Sequence, residues 1–143
     1  MNKYYTPEIE EFHVGFEYEE KDIEWEKAVC GTYDAGDFDA LGDVSREGNI
    51  RVKHLDREDI ESIGLKDVSF NGRDVWESDF KHKRYESHVA HVIVNLDHCT
   101  GDGVWVLVCT GDTEVSYDDW QTVFAGHIKN KSELKRILKQ IGV

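Results

Sequence analysis

The sequence lacks several features that would assign a chain to a class of proteins at once. It contains one proline and three cysteines in 143 residues, and no apolar run reaches the roughly 18 residues that suggest a membrane-spanning helix. The first residues show no positive segment followed by an apolar one, so we expect neither a secretory signal nor a membrane anchor. The cysteines have no CxxC or metal-ligand spacing, which predicts reduced thiols and no structural disulfide.

Basic residues are also scarce. The chain has 17 lysines and arginines against 30 acidic residues, a formal net charge of −13. Binding to nucleic-acid phosphates needs clustered cations that release counterions, so we expect no such contact with a phosphate backbone. The basic charge gathers in residues 127–143 and the acidic charge is densest in residues 8–26, and both patterns are typical of solvated faces.

The common catalytic signatures are missing as well. The sequence contains no GxxxxGK[ST], GxGxxG, GxSxG or HExxH motif, which are the patterns of phosphate-binding loops and of many hydrolases. Their absence does not exclude an enzyme, but it favours a protein without catalytic activity. We assign no catalytic residue and no cofactor.

Alternation of apolar and polar residues predicts strands in the first part of the chain. Residues 9–19 have the period of two that a half-buried strand needs, whereas residues 21–29 fit both a hairpin and a short helix. Residues 50–54 predict a short strand, followed by a helix that begins after the cap Asp56 and ends at Gly64. The intervening residues 31–49, rich in glycine and aspartate, predict a flexible loop.

The dipeptide Asn71-Gly72 between two strand-like runs is a strong hairpin signal. A two-residue turn there pairs Val68 with Val75 and Phe70 with Arg73. Those two valines and Phe70 would then share one face of the hairpin, and Trp76 would lie on the other face.

Further strands are predicted for residues 85–96, 104–109, 113–117 and 122–128. The run at 104–109 has apolar residues on both faces of the strand, which predicts a central strand covered on both sides. Apolar residues at helical spacing, with Asn130 as cap and Gly142 as stop, predict a C-terminal amphipathic helix.

These elements together predict one α+β domain over residues 1–143. We expect a largely antiparallel sheet of five to seven strands, with the short helix after Asp56 and the C-terminal helix packed on one face.

Two sets of side chains are candidates for a functional site. Trp76 and Trp120 are flanked by charged residues, so we expect exposed rings that anchor a partner, together with the acidic side chains Glu17 and Glu19. Imidazole and thiolate groups, the ligands zinc favours, also cluster, at His88, His91, His98 and Cys99. On a strand, the spacing of three puts the first two of these histidines on opposite faces, and we therefore assign no metal.

Three segments resemble a known group of proteins. They read YYTPEIEEFHVGFEYEE, IRVKHLDREDIESIGL and FAGHIKNKSELKRILKQIGV, and they are similar to small uncharacterised proteins of phages and prophages of gut Bacteroides-type bacteria. The resemblance implies a setting, the cytoplasm of the infected bacterium or else the virion. It implies no activity and no site residue.

The sequence therefore predicts a phage accessory protein that binds a host protein or a small signalling ligand without catalysis. A minor virion or assembly component, with residues 104–108 in an oligomer interface, is one alternative. A metal-dependent hydrolase that uses the histidine cluster is the other.

Overall fold

A computed structural model describes residues 3–31, 48–100 and 103–143, apart from the side chains of residues 98–100. The chain forms two compact units, Met1–His54 and Leu55–Val143. Each unit has its own antiparallel sheet, of four strands in the first and five in the second. The prediction of a single sheet of five to seven strands is therefore wrong, although the α+β composition is confirmed. The predicted flexible loop at 31–49 lies outside the described residues except at its ends.

The first unit has the strand order β1-β4-β2-β3. Its strands are β1 (Tyr4–Tyr5), β2 (Glu17–Lys21), β3 (Trp25–Val29) and β4 (Ile50–Lys53), and a short 3-10 helix spans Ile9–Glu11. Its core consists of Phe12, Phe16, Tyr18, Cys30, Ile50 and Val52.

The strand predicted for residues 9–19 is wrong over most of its length. A side-chain oxygen of Glu11 accepts the N–H of Glu8 at 2.9 Å and stabilises the 3-10 turn, and Gly15 then reverses the chain with φ +89°. Only from Glu17 onward does the backbone pair as a strand. For residues 21–29 the sequence left a hairpin and a short helix open, and the structure shows the hairpin, in which β3 pairs with β2.

The second unit is a meander in which strands follow one another in the sheet, in the order β5-β6-β7-β8-β9. Its strands are β5 (Lys66–Asp67), β6 (Val75–Lys81), β7 (His88–Thr100), β8 (Gly103–Asp112) and β9 (Gln121–Ile128). Two helices, α1 (Arg57–Ile63) and α2 (Lys131–Gln140), precede and follow them, and a 3-10 turn spans Tyr117–Asp119. The strand predicted for residues 113–117 is wrong, because residues 113–116 form a turn and irregular backbone that lead into this 3-10 turn.

The predicted hairpin turn is confirmed. Phe70 pairs with Arg73, and Asn71 and Gly72 have φ of +51° and +77°, as a type I′ turn requires. The prediction that the Trp76 ring is exposed is wrong, because only 4% of the residue is exposed. Trp76 lies opposite Val94 of β7 and belongs to the core, because the helices cover the face of the sheet that carries its ring. Phe70 is not covered and is 61% exposed.

Both helices begin and end at the predicted residues. The side chain of Asp56 accepts a first-turn amide of α1 at 3.1 Å, and Asn130 accepts the N–H of Glu133 at 2.9 Å in α2. Gly64 and Gly142 follow the helices with φ of +108° and +85°, a conformation that favours glycine.

Strand β8 lies between β7 and β9, so its central position is confirmed. Its valines at 104, 106 and 108 are buried in one core with Ile60 of α1 and Leu134 of α2. Trp105 and Leu107, on the other face, are only partly buried by the described residues. The expectation of a strand covered on both faces is therefore confirmed for the valine face, while the other face is covered in part by the described residues.

Leu134→Ala should lower the free energy of unfolding by about 2–5 kcal/mol, because it leaves a cavity at a fully buried position. The matched change Arg136→Ala, at an exposed position of the same helix, should alter it by no more than about 0.5 kcal/mol. Chemical denaturation followed by circular dichroism measures both. Equal effects of the two substitutions would contradict the packing of α2 described above.

The thiols of Cys30 and Cys109 should differ in reactivity. Cys30 is 1% exposed, and burial raises the pKa of its thiol, which lowers the fraction of reactive thiolate. Alkylation of the folded protein, mapped by mass spectrometry, should modify Cys109 faster than Cys30, and unfolding should remove the difference. Equally fast modification of Cys30 in the folded state would contradict the core of the first unit.

Candidate ligand-binding pocket

A pocket of about 330 Å³ opens in the second unit. It forms where the β6–β7 loop, the start of β7, the end of β8, β9 and the residues after α2 meet. Its volume lies in the range of about 300–1,000 Å³ that is usual for small-molecule sites. The lining is mainly apolar, with a few polar groups: His82, Tyr85, His88, Val89, Ala90, Thr110, Val123, Ile141 and Val143.

One histidine organises the β6–β7 loop at the edge of this pocket. Nδ1 of His82 accepts the backbone N–H groups of Arg84 at 3.0 Å and of Tyr85 at 3.2 Å. An imidazole nitrogen that accepts a hydrogen bond carries no proton, so this geometry assigns the ring N–H to Nε2. His82 is therefore a positioning residue. Its ring holds the backbone of Arg84 and Tyr85 in a tight turn.

The loop is also tied to the end of α2. The backbone N–H of Lys83 donates to the carbonyl oxygen of Gly142 at 2.7 Å. A Cβ at position 142 would collide with Nε2 of His82, and Gly142 has φ +85°. Both the backbone conformation and the close approach of the imidazole require glycine here.

Aromatic rings line the rim of the pocket. The Tyr85 ring centroid is 4.9 Å from that of His82 and 5.6 Å from that of His88. Tyr85 is nonetheless 60% exposed. The rim therefore offers part of an aromatic surface to a ligand.

A second concavity, of about 500 Å³, adjoins the first and shares His82, Tyr85 and Ile141 with it. Three cations line it, Lys83 and Arg84 from the loop and Lys139 from α2, and its remaining lining residues are Gln140 and Gly142. Among the described residues that line the two concavities, none carries a carboxylate side chain. A chain with a net charge of −13 thus brings positive charge together beside an apolar pocket.

One sign of this site is present in the sequence, although the predictions above do not include it. The run Lys81-His82-Lys83-Arg84 is a cluster of basic residues in an acidic chain. Its proximity to the basic C-terminal helix depends on the sheet order, which no local pattern reveals.

Two of the four candidate metal ligands, His88 and His91, have described side chains, and these lie in different surroundings. His88 lines the pocket, whereas Nδ1 of His91 lies 2.7 Å from a carboxylate oxygen of Asp79, and its Nε2 lies 3.5 Å from Glu77. The side chains of His98 and Cys99 lie outside the described residues. Within the described part of the chain, no three His, Cys, Asp or Glu side chains are grouped as metal ligands.

Trp120 lies in a different cluster from the pocket. Its ring stacks on Tyr117 with centroids 4.4 Å apart, covers Gly111, and donates from Nε1 to the carbonyl oxygen of Asp112 at 3.2 Å. Trp120 is therefore half-buried rather than exposed as predicted, while Tyr117 is exposed. Desolvation, followed by the charges of Asp79 and Glu77, raises the pKa of Tyr117.

The acidic candidates belong to the first unit. Glu19 accepts a hydrogen bond from Nε of Arg51 at 2.5 Å, and the Arg51 guanidinium lies over Trp25 at 4.1 Å and over Tyr4 at 3.8 Å. Glu17 is exposed on the same strand. Because β2 pairs with both β3 and β4, it is not the free edge that β-augmentation by a partner would require.

Comparison of the chain with protein-family models, with curated proteins and with solved structures finds no match. The described part of the chain has no helix of the length and apolarity needed to cross a membrane.

Gly142→Ala should destabilise the protein by more than about 1 kcal/mol, because alanine is strained at positive φ and its Cβ would collide with His82. Gly31→Ala is the matched control, since a Cβ there meets no described atom within 4 Å. Thermal unfolding measures stability, and ¹⁵N NMR of the imidazole should show the Nε2–H tautomer of His82 disturbed only in Gly142→Ala. An unchanged His82 spectrum in that variant would contradict the contact.

Proposed function

We propose that this chain is a non-enzymatic binding protein that takes a small ligand into the apolar pocket of its second unit. The observation that supports the proposal is an open pocket of about 330 Å³, lined by aliphatic side chains with a few convergent polar groups. This is the usual composition of a ligand site. The phage setting implied by the three sequence segments is part of the same proposal, with an infected bacterial cytoplasm as its place of action.

The polar groups of the pocket favour binding over catalysis. The acceptor nitrogen of His82 is already engaged by two backbone N–H groups, so it is not free to act as a general base. Acid–base catalysis needs a group within hydrogen-bond reach of the substrate with a suitable protonation state. The remaining polar groups, on Tyr85, His88 and Thr110, suit orientation of a ligand by hydrogen bonds.

Val123→Trp should abolish ligand binding, because Val123 lines the pocket and is 45% exposed, so that an indole can fill the space without disturbing the core. Val115→Trp is the matched control, at a valine that is 47% exposed and is not a lining residue. The measurement is a screen of a small-molecule library by NMR of backbone amides. Binders should shift the amides of Val89, Ala90 and Thr110 in the parent and in Val115→Trp, but not in Val123→Trp.

A library in which no compound shifts these amides would contradict the proposal. Binders that shift them equally in Val123→Trp would also contradict it, because the ligand would then lie elsewhere.

A second candidate function is binding of a basic protein through Tyr117 and Trp120. Stacked rings beside Asp79 and Glu77 suit a lysine or arginine side chain, which is attracted by both aromatic faces and carboxylates. Tyr117→Ala should then weaken capture of a host protein from a bacterial lysate at low salt, whereas Tyr85→Ala should not. The reverse result would assign the interaction to the pocket rim.

A further inference from the structure

We infer that the ligand of the pocket is a mononucleotide, whose base enters the apolar concavity and whose phosphate lies in the adjoining basic one. The inference rests on the proposed function, and it adds the chemical class of the ligand. It follows from the two concavities taken together, because they share His82, Tyr85 and Ile141 and differ in charge.

The basic concavity is suited to a compact anion. Lys83 and Arg84 approach from the β6–β7 loop and Lys139 from α2, and none of the described side chains that line it is a carboxylate. Ammonium and guanidinium groups make charge-assisted hydrogen bonds to phosphate oxygens, and guanidinium can do so in bidentate fashion. The hydrogen bond from Lys83 N–H to Gly142 holds the β6–β7 loop against the end of α2, so the elements that carry the three cations are fixed to each other.

The apolar concavity is suited to a flat ring that carries polar atoms. Val89, Ala90, Val123 and Ile141 supply apolar contacts, and the exposed Tyr85 ring supplies a stacking surface. Every nucleobase has a flat π-face and can stack on an aromatic side chain, whichever base it is. The Thr110 hydroxyl and the His88 ring add hydrogen-bonding groups to the lining, which a base edge can use and an alkyl chain cannot.

The net charge of the chain does not oppose this inference. A polymer of phosphates would extend across the acidic surface, whereas one phosphate group meets only its immediate surroundings. Interactions between exposed charges are screened beyond about 8–10 Å at moderate salt. Asp112 lies opposite the lining residue His88 but lines neither concavity, so the three cations of the lining are the charges that a phosphate there meets directly.

The test uses the full chain and five probes: AMP, UMP, adenosine, inorganic phosphate and octanoate. Titrations followed by amide NMR give the affinity and the location of each probe. AMP and UMP should shift amides in both concavities, and adenosine and phosphate alone should each bind at least about tenfold more weakly, because each retains only one set of contacts.

Charge reversal then identifies the phosphate contacts. Lys83→Glu and Lys139→Glu should each weaken AMP by at least about tenfold and leave adenosine unchanged. The control Lys131→Glu makes the same change in net charge at the other end of α2, outside the lining, and should leave AMP binding unchanged.

The outcomes distinguish the two proposals. Octanoate that binds in the pocket, with no binding of AMP or UMP, would overturn the nucleotide inference and leave the proposed function standing. Phosphate that binds as well as AMP would overturn the role of the apolar concavity in the inference. If neither these probes nor any library compound shifts the amides of Val89, Ala90 and Thr110, both proposals fail.

Discussion

Burial of the valine face of β7 and β8 beneath the two helices is the constraint on which the second unit depends. Val92, Val94, Val106 and Val108 are completely excluded from solvent, and fully burying a side chain of this kind contributes about 1.5–3 kcal/mol. The contact draws α2 against the sheet. With α2 held there, residues 141–143 reach the β6–β7 loop, and the pocket is the space that remains between them.

Several local features could be predicted because their causes lie within a few residues. The Asn71-Gly72 turn needs only two residues at positive φ, and the cap at Asn130 needs only the amide of Glu133. The burial of Trp76 could not be predicted in this way, since it depends on which strand lies opposite and which face the helices cover. The same holds for residues 9–19, whose alternation is that of a strand although the chain turns at Gly15.

The division of the strands into two sheets also could not be predicted from local sequence patterns. Antiparallel hairpins with alternating residues look alike whether they extend one sheet or begin another. The candidate site was missed for a related reason. Its cations come from residues 83, 84 and 139, which belong to separate parts of the sequence and become neighbours only through the fold. Glu19, in contrast, was visible as an acidic strand residue, but its pairing with Arg51 across 32 positions was not.

The link between Lys83 and Gly142 bears on the order in which the molecule is built. A backbone contact that joins positions 59 residues apart closes a long loop, and closing a longer loop costs more conformational entropy. During synthesis, the hairpins of the meander can pair as they leave the ribosome, whereas the site cannot exist until residues 141 and 142 have emerged. The lining of the candidate pocket is therefore completed only after every strand of the second unit has been synthesised.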